Sequence, residues 1–350
     1  MATTTISQII KISATYAGTV MGAGFASGQE LTQFFVVYGS MGLVGLIVTG
    51  CLFAWLGNQI LKLSYQIGAT SYHQLLYHVC GKSIGLLLDI MITAFLFFVL
   101  TIMLAGAGTL AYDNFHLPYS LGIAIMSFSL MLTTLYGLKG ITTVNIVITP
   151  LLTITILAIG IYSLAYHQVD LSMMQAPPQS TNLPAPHWLL SSLLYLSYNL
   201  VMSITVLVPL GACTERTPRM IGSIIGGLLL MLLAGLVTIV VMVHYPQSLE
   251  HQIPMLSIAS SQHPFHHIAY IFIFTAAMYT TGLATLYGCA TKLTISTGFS
   301  MKKSLLLLLL LGLLISQIGF STLIAIIFPI FGYATLGFTC RILYLSFFPK

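Results

Sequence analysis

Long apolar runs separated by short polar connections follow one another along the whole chain. A helix needs about 20 mainly apolar residues to cross a bilayer whose hydrocarbon core is about 30 Å thick. The pattern predicts ten membrane-spanning helices, with no soluble domain between them. The ten predicted spans are 9–38, 42–64, 84–111, 118–136, 141–166, 188–212, 221–243, 267–290, 304–320 and 322–345. We therefore expect an all-α polytopic membrane protein.

The first span is too long and too rich in glycine for one straight helix. Residues 9–37 would form a helix of roughly 43 Å at 1.5 Å per residue, longer than the bilayer core is thick. Glycine recurs at four positions, which are Gly18, Gly22, Gly24 and Gly28, and Glu30 follows them. Unwound backbone at membrane depth is tolerated only where it lines a cavity or is buried in protein. We predict two half-helices joined by an unwound segment, and a binding site at the break.

The sixth span has a similar irregularity. A polar cluster, Ser197-Tyr198-Asn199, lies at mid-membrane, and Pro209 follows in the same span. Broken first and sixth helices in a set of ten imply a 5+5 inverted repeat, because a second group of five starts from the opposite side of the membrane. The repeats are predicted at 1–166 and 188–350, with 167–187 as an external connector. Matching discontinuous helices in two halves indicate a substrate site near the midplane.

Composition and charge agree with a membrane protein and orient it. Hydrophobic residues make up 57% of the chain and charged residues only 5%, whereas soluble domains carry about 25% charged residues. With a cytoplasmic N-terminus, all eleven lysines and arginines fall on the cytoplasmic side, as the positive-inside rule favours. Both termini are therefore predicted to be cytoplasmic. The net charge of +5 reflects this topology, and no nucleic-acid partner is expected.

The first break offers two kinds of binding group. The half-helix before it ends in free carbonyls that suit a cation, and the half-helix after it begins with free amides that suit an anion. A substrate carboxylate on the amides of Gly24, Phe25 and Ala26 would fit, since glycine allows close approach. The alternative is that the glycines serve tight helix packing. The predicted substrate-binding residues are Gly22, Gly24, Phe25, Ala26, Glu30, Ser197, Tyr198 and Asn199.

Glu30 has three open roles. Ionisable residues within a membrane are costly and point to function. The carboxylate could bind a substrate ammonium, carry a proton, or hold the break closed by accepting local amides. Most of the histidines lie in external segments, where they could bind a metal or sense acid, although their spacing matches no defined metal site.

Several segments resemble a known family. They are Gly22-Ala23-Gly24-Phe25-Ala26-Ser27-Gly28-Gln29-Glu30, Ser197-Tyr198-Asn199, Val208-Pro209-Leu210-Gly211 and Tyr279-Thr280-Thr281. These segments look like those of the YkvI-type bacterial permeases of the amino acid–polyamine–organocation superfamily. The resemblance implies the LeuT fold, the bacterial cytoplasmic (inner) membrane and a role as a secondary amino-acid transporter. It also implies that Tyr198 closes over the substrate.

The resemblance further implies one sodium site. Its ligands would be the carbonyls of Gly18, Met21 and Ala277 with the hydroxyls of Thr280 and Thr281. Alternatively, both threonines bond back to their own helix. Proton-coupled relatives can carry a lysine on the fifth helix, and residues 141–166 contain no charge, which favours sodium.

The sequence thus predicts a sodium-coupled symporter of a small amino acid or related zwitterion. Proton coupling through Glu30 and a membrane sensor that binds ligand without transport remain as alternatives. An enzyme is not expected, because P-loop, metal-ligand and Gly-x-Ser-x-Gly motifs are missing. The expected partners are the small-molecule substrate and the lipid bilayer. No cofactor beyond the coupling ion is expected, and the sequence indicates no oligomeric state.

Overall fold

A computed structural model describes residues 2–136, 141–166, 183–246, 248 and 250–348. Thirteen α-helices and no strand are found in these residues. The helices are α1 (Ala2–Val20), α2 (Ala23–Ser27), α3 (Gln29–Phe34), α4 (Ser40–Ile67), α5 (Tyr72–Phe115), α6 (Tyr119–Tyr136), α7 (Ile141–Tyr166), α8 (Trp188–Ala212), α9 (Arg216–Val243), α10 (Pro254–Gln262), α11 (Pro264–Thr297), α12 (Met301–Ser316) and α13 (Phe320–Phe347). The predicted all-helical class is confirmed.

Six of the described helices are long and apolar enough to cross a membrane, namely α4, α5, α8, α9, α11 and α13. The protein is therefore a multi-pass membrane protein. The count of ten spans and the inverted repeat stay predictions. Most of the predicted external connector, residues 167–182, lies outside the described residues.

The helices that carry the candidate site pack around α8. On one side α8 contacts α1 and α4, and α9 packs against both of these helices. On the other side α8 contacts α5 and α13, and α11 packs along α5. The short helix α10 covers α2 and also contacts α9 and α11. Residues 23–37 are buried within this arrangement, with only Gln29 partly exposed.

The first span is interrupted as its glycines predict. Helix α1 ends at Val20, and Gly22 is extended, with φ −78° and ψ −175°. A second interruption follows at Gly28, whose φ of 79° lies in the left-handed region. A residue with a Cβ atom is disfavoured in that conformation, and a methyl group on Gly28 would also lie 3.0 Å from Met255. The segment after the break is therefore two short helices, α2 and α3, rather than one half-helix.

The predicted break in the sixth helix is wrong. Helix α8 runs without interruption from Trp188 to Ala212, because its polar side chains bond without unwinding the backbone. The Asn199 amide donates to the Tyr195 carbonyl at 3.0 Å, and Ser203 donates to the Asn199 carbonyl at 2.7 Å. Ser197 shares hydrogen bonds of 2.9 and 3.0 Å with two threonine hydroxyls of α13. Pro209 lies in the last turn, so it leaves most of the helix unaffected.

Candidate functional site

Glu30 lies at the centre of the candidate site. It belongs to the first turn of α3, and only 6% of the residue is exposed. The Tyr198 hydroxyl on α8 donates to Glu30 Oε2 at 3.3 Å. Because Gly28 turns the chain between α2 and α3, the Glu30 side chain also folds back onto Gly24: a methyl group on Gly24 would lie 2.7 Å from Glu30 Cδ. Three residues predicted from sequence, Gly24, Glu30 and Tyr198, are thus brought together.

The carboxyl group of Glu30 has no basic side chain beside it in the described part of the chain. Both ion pairs found there involve a different acid, Asp89. A buried charge without an opposite charge is unfavourable. The ionised form of Glu30 therefore needs a cation that the described side chains do not supply.

Tyr198 is surrounded by aromatic rings from four helices. Its ring stacks on Phe328 of α13 at 4.9 Å between centroids. Phe34 of α3, Phe95 of α5 and Tyr195 of α8 lie at 5.6, 5.8 and 5.6 Å. We call these five residues the aromatic cluster. Tyr198 is 2% exposed, so this side of Glu30 is closed off from solvent by aromatic side chains.

The amides at the break are arranged differently from the prediction in one respect. Helix α2 begins at Ala23 with Gly22 as its N-terminal cap. The Ala26 amide donates to the Gly22 carbonyl at 3.0 Å, so the prediction that this amide is free for a substrate is wrong. The helix simply starts one residue earlier than assumed. Counted from the cap residue, the first four amides of an α-helix lack a partner within the helix. The Gly22 amide donates to the Val20 carbonyl at 2.8 Å, which leaves those of Ala23, Gly24 and Phe25.

The side chain of Phe25 points to a small cavity. This cavity of about 10 Å³ is lined by Phe25, Thr49, Phe53 and Tyr195 together with aliphatic residues of α4 and α9. The buried Tyr195 hydroxyl finds no hydrogen-bond partner among the described residues. A space of this size holds about one water molecule. The cavity is therefore a hydration site at most, beside the candidate site.

The break also faces α11, where the sodium ligands were predicted. A methyl group on Gly22 would lie 3.9 Å from the Thr281 hydroxyl. Thr280 donates to the Ala277 carbonyl at 3.1 Å, which is the bonding to its own helix that the alternative describes. A hydroxyl that donates one hydrogen bond keeps lone pairs free. The hydroxyl oxygens of Thr280 and Thr281 therefore still fit a hard monovalent cation. Met21, whose carbonyl is another predicted ligand, is buried and directly precedes Gly22 in the chain.

Two other predicted residues do not point to Glu30. The side chains of Ser197 and Asn199 form the hydrogen bonds of α8 described above, to α13 and to the turn before. Ser197 therefore connects helices. The part of the polar cluster that reaches Glu30 is the Tyr198 hydroxyl.

Sequence reasoning did not predict a polar network centred on Asp89 of α5. Asp89 is 3% exposed. Its Oδ1 atom accepts a hydrogen bond from the Tyr72 hydroxyl at 3.0 Å and lies 3.1 Å from His73 Nδ1. Its Oδ2 atom contacts Lys292 Nζ of α11. Gly81, with a φ of 78°, separates the part of α5 that carries Tyr72 and His73 from the part that carries Asp89. The network therefore ties three segments together. The available signal was one acid, Asp89, in the otherwise apolar span 84–111, and one base, Lys292, just after the span 267–290.

The histidines predicted to be external form ordinary polar contacts. His267 Nε2 lies 2.8 Å from Asn114 Oδ1, and His266 Nδ1 lies 3.1 Å from Gln262 Oε1. No group of three potential metal ligands exists among the described residues. The geometry of the described residues therefore does not support metal binding by these histidines.

Comparison with known proteins gives relatives along nearly the whole chain. The chain is 29% identical over 326 residues to a protein of Bacillus subtilis (strain 168) described as uncharacterized membrane protein YkvI, covering 92% of each. It is 27% identical over 337 residues to uncharacterized protein YyaD of the same organism, covering 93% of this chain and 94% of that one. No family model matches the chain.

Solved structures share the fold at low sequence identity. MhsT in complex with L-phenylalanine has a TM-score of 0.63 at 16% identity, over 96% of this chain and 88% of MhsT. A Na⁺-coupled sialic acid symporter has a TM-score of 0.62 at 13% identity, over 97% of this chain and 79% of the symporter. The Eremococcus coleocola manganese transporter has a TM-score of 0.62 at 14% identity, over 95% and 78%. The resemblance to YkvI-type membrane proteins is therefore confirmed, and the chain has the LeuT fold.

Proposed function

We propose that the protein is a secondary transporter that moves a small amino acid or related zwitterion by alternating access, in symport with sodium. The observation that carries the proposal is the interrupted first helix, which has Glu30 and Tyr198 on one side of Gly24 and Thr281 beside Gly22. Discontinuous helices at the midplane are where transporters of this kind bind substrate and ion. Among the described residues, the buried carboxyl group of Glu30 and the Tyr198 hydroxyl meet at that break.

The names of the fold neighbours support a transporter over an enzyme. They include transporters or symporters of sialic acid and manganese, and MhsT was solved with L-phenylalanine. This diversity also means that the fold does not select the substrate. The amino-acid assignment therefore rests on the site residues themselves.

Sodium is supported by charge and by ligand chemistry. A sodium ion held by the carbonyls of Gly18, Met21 and Ala277 with the hydroxyls of Thr280 and Thr281 would lie near Gly22, and so in the same region as Glu30. Its positive charge would lower the cost of an ionised Glu30, which has no basic neighbour in the described residues, without the carboxylate being one of the sodium ligands. One neighbour of the same fold is named as Na⁺-coupled.

Proton coupling is the second candidate, and the environment of Glu30 favours it. The carboxyl group is buried, hydrogen-bonded to Tyr198 and next to the break. Protonation would neutralise it without any metal ion. A sensor that binds ligand without transporting it would use the same residues, and uptake separates it from a transporter.

We further propose the bacterial cytoplasmic membrane as the location, with both termini in the cytoplasm. Ten spans in a 5+5 inverted repeat, 1–166 and 188–350, would complete this arrangement around the external connector 167–187. The one-sided distribution of lysine and arginine supports it.

A thermal-shift screen of the purified protein tests the proposed function at its first step. Ligands that bind only the folded state raise its melting temperature by mass action. We expect one or a few amino acids to raise the melting temperature, and to raise it further in sodium than in choline or potassium chloride. An equal effect of sodium and potassium at every pH would contradict sodium coupling and would favour the proton.

A further inference from the structure

We infer that Glu30 binds the ammonium group of the substrate, so that the amine is the essential part of the substrate and its carboxylate is dispensable. This inference rests on the proposed function and narrows its substrate class. It selects one of the three roles open to Glu30 from the sequence. It also replaces the expectation that a substrate carboxylate lies against Gly24.

The first argument is the charge of the site. The chain has six acidic residues. Besides Glu30, the described ones are Asp89, which is paired with Lys292, and Asp113, Glu215 and Glu250 at the ends of helices or outside them. Glu30 is thus the acid of the described residues that lies buried at the helix break. Because no basic side chain pairs with it, a cationic group of the substrate would be its natural partner.

The second argument is steric and electrostatic. The Glu30 carboxyl group occupies the space directly beside Gly24, where a Cβ would collide with it. A substrate carboxylate approaching the Gly24 amide would therefore meet another carboxylate. Two carboxylates that share a site repel each other, so that both do not ionise readily. An ammonium group at the same place is attracted instead.

The third argument is the aromatic cluster. Tyr198 donates its hydroxyl to Glu30 and presents its ring among Phe34, Phe95 and Phe328. Cations bind over aromatic faces within about 6 Å of the ring centroid, and the attraction grows when water is excluded. A carboxylate next to buried aromatic rings is a combination that suits a protonated amine. The apolar rings also suit the hydrocarbon part of such a substrate.

Matched ligand sets test this inference on the wild-type protein. Each set contains an amino acid, the amine that lacks its carboxylate and the acid that lacks its amine. Suitable sets are L-alanine, ethylamine and propionate; L-leucine, 3-methylbutylamine and 4-methylpentanoate; and L-phenylalanine, phenethylamine and 3-phenylpropionate. In the set that binds, we expect the amine to bind within about tenfold of the amino acid. The acid should bind at least about 30-fold more weakly, since losing one partner of a buried charged pair has that effect or more.

A pair of variants then assigns the effect to Glu30. Glu30→Gln keeps the size of the side chain and removes its charge, and it should weaken binding of the amino acid at least about 30-fold. Glu250→Gln makes the same chemical change at an exposed external position and should bind like the wild type. Equal melting temperatures without ligand establish that Glu30→Gln is folded, and the wild-type ligand sets give a result even if it is not.

The outcomes separate the inference from the proposed function. If the acid binds as tightly as the amino acid, or if folded Glu30→Gln keeps full affinity, the inference is overturned and the transporter proposal stands. If amines and amino acids bind but are never accumulated in vesicles, the transporter proposal fails and the assignment of Glu30 stands. If neither these sets nor any other amino acid in the thermal-shift screen binds, both are contradicted.

Discussion

Replacing Gly24 by alanine perturbs the centre of the site by a single methyl group. That methyl carbon would lie 2.7 Å from Glu30 Cδ and 3.0 Å from Glu30 Cγ. Non-bonded carbon atoms prefer separations of about 3.5–4.0 Å, so the carboxyl group must move by about 1 Å. The neighbour is the end of a flexible side chain, and for this reason the backbone can stay in place.

The displacement of Glu30 sets the size of the effect. The hydrogen bond from Tyr198 is already 3.3 Å long, and a shift of this size would break it. Hydrogen bonds to charged groups contribute about 1.5–3 kcal/mol, whereas alanine is favoured over glycine within a helix by up to about 1 kcal/mol. We therefore expect a loss of unfolding free energy of no more than about 2 kcal/mol. If Glu30 holds the substrate, the same displacement should weaken binding about 10- to 100-fold, at 1.4 kcal/mol per factor of ten.

The assay is ligand affinity and melting temperature of Gly24→Ala beside Gly235→Ala. Gly235 of α9 is the matched control, because it is a helical glycine outside the candidate site and a methyl group there would have no other group within 4 Å. A double-mutant cycle shows whether Gly24→Ala acts through Glu30. In a Glu30→Ala background the change at Gly24 should have almost no further effect. The reasoning is refuted if Gly24→Ala binds like the wild type, or if its loss is just as large without the Glu30 side chain.

Three further predictions concern the ion site, the polar network centred on Asp89 and the topology. Replacing Thr280 and Thr281 together by alanine should abolish the sodium dependence of ligand binding at an unchanged melting temperature without ligand; persistent sodium dependence would place the ion elsewhere. Asp89→Asn should lower the free energy of unfolding by about 1–3 kcal/mol, because the neutral amide no longer pairs with the Lys292 ammonium, which is itself about a third exposed; an unchanged melting temperature would mean that the network contributes little. In a cysteine-free protein, Glu250→Cys should react with an impermeant maleimide added outside cells and Lys303→Cys should not, and the reverse pattern would contradict the proposed orientation.

The break in the first predicted span could be predicted because glycine affects the backbone conformation at its own position. Residues with a Cβ atom strongly disfavour a left-handed backbone, and a helix with four glycines and an acid is poorly suited to span a membrane unbroken. The second turn at Gly28 was harder to place, since any of the glycines could have adopted it. That turn is what folds Glu30 back onto Gly24. The contact between Glu30 and Gly24 therefore depends on which glycine adopts the left-handed conformation, and the sequence pattern does not determine this.

Helix α8, the predicted sixth span, shows why polar residues alone are a weaker signal of a helix break than glycine. Asn199 and Ser203 bond to carbonyls four residues earlier, and Ser197 bonds across to α13. Such bonds satisfy the side chains without freeing any backbone group.

The pairing of Asp89 with Lys292 could not be predicted from the sequence for a different reason. The two residues are 203 positions apart in the chain, and only the packing of α5 against α11 brings them together.

Solute accumulation in proteoliposomes tests the central claim, that this chain is a secondary transporter, most directly. The probe is the radiolabelled amino acid with the largest thermal shift, and the vesicles contain wild-type protein or Glu30→Gln. With an inward sodium gradient, wild-type vesicles should accumulate the amino acid above its external concentration, and collapsing the gradient should release it. Accumulation driven only by a proton gradient would transfer the coupling role to the proton. Binding of the amino acid without accumulation under either gradient would contradict the transporter assignment and identify a sensor.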